Sequence, residues 1–260
     1  MRPNLLSWSL LLAVLGLGMV QLSACERKSF DPALAGSFFP LRPGLSWSYR
    51  IIDKDHNSSH ILTDRVLEPR RLGSGQGANE VESEYSAATG AFKSSIIYFP
   101  EHGYFTRQSL TDRSAGIASA ERAFLPQLLK PGLIWSNSLE PFTQEANVLH
   151  VSQTHQSFFD AGTVVVPAGH FSNCIRIETH AVYWSSYEAI KPLELKYIDW
   201  YAPHVGLVKT IVQQNGIFGS ELARIELLSF KYTPSRASLP GSVSVSRVRL
   251  QHSSDPRTAR

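Results

Sequence analysis

The chain has 260 residues, of which 43% are hydrophobic and 18% charged, with two cysteines and a formal charge of +3. That length can bury a core without disulfide support, and the apolar content excludes a disordered chain. A nucleic-acid surface is excluded as well, because Arg2 lies in the leader and Arg236, Arg247, Arg249, Arg257 and Arg260 lie in the tail, which leaves a near-neutral body without a clustered basic face.

Residues 1–24 read as a lipoprotein signal peptide. Arg2 supplies the basic start, residues 5–20 are apolar apart from Ser7, Trp8, Ser9 and glycines, and Leu22-Ser23-Ala24-Cys25 follows. The tetrapeptide is similar to a bacterial lipobox. It implies cleavage before Cys25 and diacylglyceryl and acyl (palmitate) attachment to that residue, so that Cys25 begins the mature protein. The apolar run is shorter than the roughly 20 residues a spanning helix needs, whereas each buried acyl CH₂ contributes about 0.8 kcal/mol to anchoring. The rival reading is an ordinary secretory signal cut near Ala24. It would leave Cys25 a thiol free to pair with Cys174 in an oxidising compartment; with Cys25 acylated, Cys174 is a lone buried thiol acting as a small hydrophobe. Glu26 stands where an aspartate would signal retention at the inner membrane, so the lipobox resemblance implies the periplasmic face of the outer membrane.

Residues 25–37 form a linker and residues 38–233 a single β-rich domain. Pro43-Gly44 marks a turn into a strand with Trp47 and Tyr49 on one face, and 41–48 recurs at 129–136 with Leu, Pro, Gly, Leu, Trp and Ser in the same places. This is one turn-into-strand device used twice. In 80–85 the acids Glu80, Glu82 and Glu84 alternate with Val81, Ser83 and Tyr85, the period of a half-buried strand. A hairpin is expected around 100–103, a polar strand over 147–156, a turn at 167–169, strands over 174–180, 193–201 and 207–213, and a final strand over 222–232 with a bulge at Leu227-Leu228. Helical signals are few: a turn or two in 118–129, broken at Pro126, and one turn near 185–191. The sum is an all-β domain of about ten antiparallel strands, a curved open sheet or half-barrel. Residues 234–260 are Ser-, Pro- and Arg-biased and read as a disordered tail.

Three segments stand in order: Phe39-Pro40-Leu41-Arg42-Pro43-Gly44-Leu45-Ser46-Trp47-Ser48-Tyr49, then Val166-Pro167-Ala168-Gly169-His170-Phe171-Ser172-Asn173-Cys174, then Tyr201-Ala202-Pro203-His204-Val205-Gly206-Leu207-Val208-Lys209. Together they resemble a group of uncharacterised bacterial envelope lipoproteins, in which the place of His204 is usually glycine. The architecture also resembles the open curved sheets of the lipoprotein carrier and receptor proteins.

No nucleophile elbow, zinc-protease or paired-cysteine motif occurs. His150 and His155 fall on opposite faces of a strand, and His56 and His60 flank a turn, so these histidines are expected in exposed positions. Glu80, Glu82 and Glu84 are expected to form a solvated face and not a calcium cage. The aromatics Trp47, Tyr49, Trp135, Tyr183, Trp184, Tyr187, Tyr197, Trp200 and Tyr201 could fill a core or line a concavity for an acyl chain or a glycan. The expectation is therefore a lipid-anchored, non-catalytic binding or scaffold module for a hydrophobic ligand or envelope partner, with no cofactor, no metal and no nucleic acid. The alternative is an envelope hydrolase with a dispersed site, such as His170 or His180 near Glu178.

Overall fold

Period-two alternation over most of the body dictates strands, and the computed structural model is built almost wholly from them. It describes residues 33–87, 90–110, 122–144, 147–159, 161–185, 191–214 and 219–234. Cys25, the leader, the tail from 235 and Tyr187 lie outside the described residues.

The elements in chain order are β1 (Ala33–Leu34), α1 (Ala35–Phe38), β2 (Leu45–Asp53), β3 (Ser58–Val66), β4 (Arg70–Arg71), β5 (Gly77–Ala87), β6 (Gly90–Glu101), β7 (Tyr104–Ser109), β8 (Arg122–Pro126), β9 (Leu128–Leu129), β10 (Ile134–Gln144), β11 (Asn147–Phe158), β12 (Val164–Val166), β13 (Gly169–Phe171), β14 (Ile175–Ser185), β15 (Leu193–Ala202), β16 (Gly206–Gln214) and β17 (Glu221–Tyr232). The all-β class read from the sequence holds. The main sheet has 13 strands where about ten were expected; those added include β3, β4 and β8, the last from the segment near 122–129 that reads as helical turns, while β9 pairs with β1 outside the main sheet.

The sheet runs β10-β11-β14-β15-β16-β17-β2-β3-β5-β6-β7-β8, with β4 beside β5. Every neighbour is antiparallel, and β17 closes on β2 from Ala223 opposite Asp53 to Tyr232 opposite Leu45. The sheet therefore curls into a nearly closed barrel whose two ends, β8 and β10, come together at a seam. There Asn137 Nδ2 donates to the Ala123 carbonyl oxygen at 2.7 Å.

Followed round the barrel, the strands fall into two sets of like order: β2, β3, β5, β6, β7, β8, then β10, β11, β14, β15, β16, β17. Each set opens on the repeated turn. Gly44 has φ 86° and Gly132 φ 74°, a region that glycine enters without steric cost. Leu45 N donates to Arg42 O and Leu133 N to Lys130 O, both at 3.1 Å, while Gly44 N reaches Val66 O and Gly132 N reaches Ser157 O on the following strand. A second correspondence links the fourth strands: Tyr98, Pro100 and Gly103 are spaced as Tyr201, Pro203 and Gly206.

Inward residues build the core. Leu45, Trp47, Tyr49, Val66, Val81, Val208 and Leu227 form one cluster, joined by Cys174, and Phe38, Leu125, Leu129, Trp135, Ile175 and Ile177 form another. The expected bulge sits between Leu227 and Ser229; beyond it Phe230 stands opposite Trp47 and Tyr232 opposite Leu45, so both sets of side chains share one face. The outer face is charged. Glu82 and Glu84 pair with Arg65 and Lys93, Glu80 with Arg70, Glu178 with Lys196, and Glu226 with Arg50 and Arg224. The acidic stripe of β5 is thus neutralised by neighbouring strands.

Candidate functional site

A row of inward side chains crosses each half at its tryptophan. In the first half Trp47 stands opposite Asp64, and Asp64 opposite Ser83. In the second Trp135 stands opposite His155, His155 opposite Thr179, and Thr179 opposite Tyr197. Both polar members are tied to their neighbours. Ser83 Oγ donates to Asp64 Oδ1 at 2.6 Å, and His155 Nδ1 lies 2.7 Å from Thr179 Oγ1.

These rows bound two neighbouring cavities in the barrel lumen. One, of about 260 Å³, lies behind the seam against Trp135, Asn137, Gln153, His155 and Tyr183. The other, of about 310 Å³, is more apolar and lies against Trp47, Tyr49, Asp64, Tyr98 and Ile225. Arg107, Phe124, Tyr197, Asp199 and Tyr201 belong to both walls, so the two cavities are neighbours. A barrel of this strand number leaves such room because its side chains cannot meet at the axis.

Burial sets the electrostatics. Desolvation pushes the Asp199 carboxyl up to about 6, against a hydrogen bond of 2.6 Å from Thr210 Oγ1 and the charge of Arg107. Asp64 is raised for the same reason and held back by Ser83. Burial, aided by the Arg107 charge, pushes His155 down to about 4 and keeps it neutral at pH 7. Tyr49, Tyr98 and Tyr201 are all raised, chiefly by desolvation. Arg107 hydrogen-bonds Tyr98 and lies 5.2 Å from the Phe124 ring centroid. Among the described residues no carboxylate forms an ion pair with it.

Several expectations are corrected here. His155 is not exposed: it is 8% exposed on β11 and stacks on Trp135 with ring centroids 5.1 Å apart, because the register that turns Trp135 inward turns its partner inward too. His60, on β3, is half-buried against Tyr85, with its Nε2 3.1 Å from Ser58 Oγ. His56 is exposed as expected and pairs with Asp53 at 2.8 Å; the side chain of His150 lies outside the described residues. Of the aromatics, Trp47, Tyr49, Trp135, Tyr183, Tyr197 and Tyr201 line the lumen. Trp184 and Trp200 alternate with inward residues and face outward, Trp200 beneath Lys209. Asp64, Arg107 and Asp199 were not singled out, although each is a charge at an inward register, a signal that appears only once strand pairing is known.

Of the hydrolase candidates, Glu178 and His180 line one pocket with Lys196, and His170 is not among the residues of that pocket. His170 is exposed in the β12–β13 hairpin opposite Val165. Glu178 and His180 share the outer face of β14, with Glu178 held by Lys196 at 2.8 Å and His180 beside Glu194 at 3.3 Å. The Thr179 hydroxyl does meet an imidazole, yet the second ring nitrogen of that His155 has no partner to orient it. Among the described residues no three His, Cys, Asp or Glu groups could hold a metal ion. Cys174 is buried, as expected, with Sγ 3.3 Å from Phe171 O.

No protein-family model matches the chain, and no curated protein does. Two solved structures resemble its backbone. A candidate lipoprotein from Parabacteroides distasonis is 18% identical with a TM-score of 0.46, covering 77% of this chain and 100% of its own. A candidate exported protein with a YmcC-like fold from Bacteroides fragilis is 16% identical with a TM-score of 0.42, covering 75% of this chain and 98% of its own.

Proposed function

We propose that this protein is a lipid-anchored module of the cell envelope, tethered by acyl chains on Cys25 to the outer membrane, whose barrel lumen binds a small amphipathic ligand without catalysis. The observation that carries the binding reading is the pair of neighbouring cavities inside the barrel. An apolar compartment under Trp47, Tyr49 and Ile225 lies beside a more polar one under Asn137, Gln153 and His155, and a ligand with one apolar and one polar end matches both. Concave, mainly apolar sites with a few convergent polar groups are the usual form of small-molecule sites. The lipobox at 22–25 supports the anchor.

Two experiments test the two parts. Metabolic labelling with a tagged fatty acid marks the wild-type chain and not Cys25→Ala; an unlabelled wild type ends the anchor reading. Native mass spectrometry of protein purified without detergent shows a bound small molecule, or the emptied protein takes up parinaric acid, and filling the lumen with Ile225→Trp abolishes both. A folded wild type that carries nothing and takes up no parinaric acid refutes the binding reading.

A further inference from the structure

We propose that the seam-side cavity is a saccharide site, holding one sugar ring of a neutral glycoside against Trp135, Asn137, His155 and Tyr197. This deepens the binding reading above, on which it rests, by naming the polar end of the ligand.

The first ground is unmet hydrogen bonding. Trp135 is 5% exposed and His155 8% exposed. The indole Nε1 of Trp135, the Nε2 of His155 and the Oδ1 of Asn137 are all buried without a partner, and all three residues line this one cavity. Buried polar atoms in folded proteins almost always have partners, so three such atoms on residues of one wall suit a polar ligand. The indole can only donate, the amide oxygen can only accept, and the imidazole nitrogen does either according to tautomer. All three atoms are closed off as the side chains stand, so a ligand reaches them only as those side chains turn toward the cavity, and it must then offer donors and acceptors side by side, which vicinal hydroxyl groups do.

The second ground is the contrast between the halves. Trp47, the counterpart of Trp135, donates its indole N–H to Val205 O at 2.5 Å, and Asp64, the counterpart of His155, is bonded by Ser83. The same device is self-satisfied in one half and left open in the other.

The third ground is the wall. Tyr183 and Tyr197 are bound hydroxyl to hydroxyl at 2.8 Å and, with Phe124 and Trp135, present aromatic surface on which the C–H face of a sugar ring packs. Arg107 and Asp199 stand in the same wall. They give the wall one group of each sign and no net excess of either, which favours a neutral ligand. Arg107, Asn137, Gln153, Tyr183 and Tyr197 are half-buried, which leaves the site a route to solvent.

The test is calorimetric titration of the full chain, purified without detergent, with methyl glycosides of glucose, galactose, mannose and N-acetylglucosamine. Glucuronic acid serves as the charged comparison and parinaric acid as the lumen control. Saturable binding of at least one neutral glycoside is expected. Trp135→Phe, which keeps the stacking surface and removes the donor, weakens it about tenfold, and Asn137→Leu does the same should the first variant fail to fold. Uptake of parinaric acid with no glycoside binding overturns the saccharide assignment and leaves the lumen a binding site. Tighter binding of glucuronic acid than of every neutral glycoside, lost in Arg107→Met, overturns it in favour of an anion site. Binding of neither probe overturns both readings.

Discussion

Trp47 donates its indole N–H to the carbonyl oxygen of Val205, 158 residues further along the chain, at 2.5 Å and in a buried position. The bond ties strand β2 of the first half to the β15–β16 turn of the second, across the β2–β17 closure. Trp135, its counterpart, is as deeply buried and has no such bond.

Trp47→Phe is therefore expected to destabilise the protein by about 2–3 kcal/mol, since it strands a buried carbonyl and opens a void. Trp135→Phe removes a donor that has no acceptor and is expected to cost less, about 1 kcal/mol. Urea unfolding of the two variants measures the difference; equal losses would refute it.

His155 and Asp199 give opposing pH dependences. His155 is lowered from 6.5 to about 4, so between those values the unfolded chain binds more protons and stability rises with pH. Asp199 is raised from 3.8 to about 6, so over nearly the same window the folded chain binds more protons and stability falls as pH rises. Each shift corresponds to roughly 3 kcal/mol, and the two largely cancel. Asp199→Asn should expose the histidine limb, with stability climbing from pH 4 to 6.5. His155→Gln should expose the aspartate limb, with stability dropping over pH 4 to 6. Denaturant midpoints measured across this range for both variants decide the matter, and two flat profiles would contradict the assignments.

Backbone conformation at two turns predicts changes of opposite sign. At Gly132, with φ +74°, an added Cβ meets no atom within 4 Å, so Gly132→Ala costs only the conformational penalty of about 1–2 kcal/mol. His204 holds φ 62°, and its N–H, which donates to Ser37 O at 2.6 Å, survives any substitution but proline. His204→Gly relieves that penalty and gives part of it back as unfolded-chain entropy, for a net gain of up to about 1 kcal/mol. Thermal melts showing a gain at Gly132→Ala or a loss at His204→Gly would count against this account.

Cys174 is 1% exposed, and burial raises its thiol pKa. It is expected to resist a thiol reagent such as DTNB in native protein and to react fully in urea. Rapid native modification would show that the β13–β14 region opens locally. Cys174→Ala should unfold about 1–2 kcal/mol more easily.

The all-β class was legible because period-two alternation is a local property. Val81, Ser83 and Tyr85 against Glu80, Glu82 and Glu84 read as one strand before any partner is known, and the β5 ladder agrees. The repeat of 41–48 at 129–136 gave both turns. The segment around 122–129 misled because a short strand of Ala, Phe and Leu ending at Pro126 carries no alternation to separate it from a helical turn.

What the amino-acid order alone determined, then, is the identity of most long strands, several turn positions, the buried thiol and the twofold use of one turn, all of which depend on neighbours within a few residues. Tertiary structure decided the rest. The last strand closing on the first, the meeting of β8 and β10, and the gathering of Asp64, Arg107, His155 and Asp199 around one lumen depend on register between distant segments. A single charge at an inward position has no meaning until the strand opposite is known.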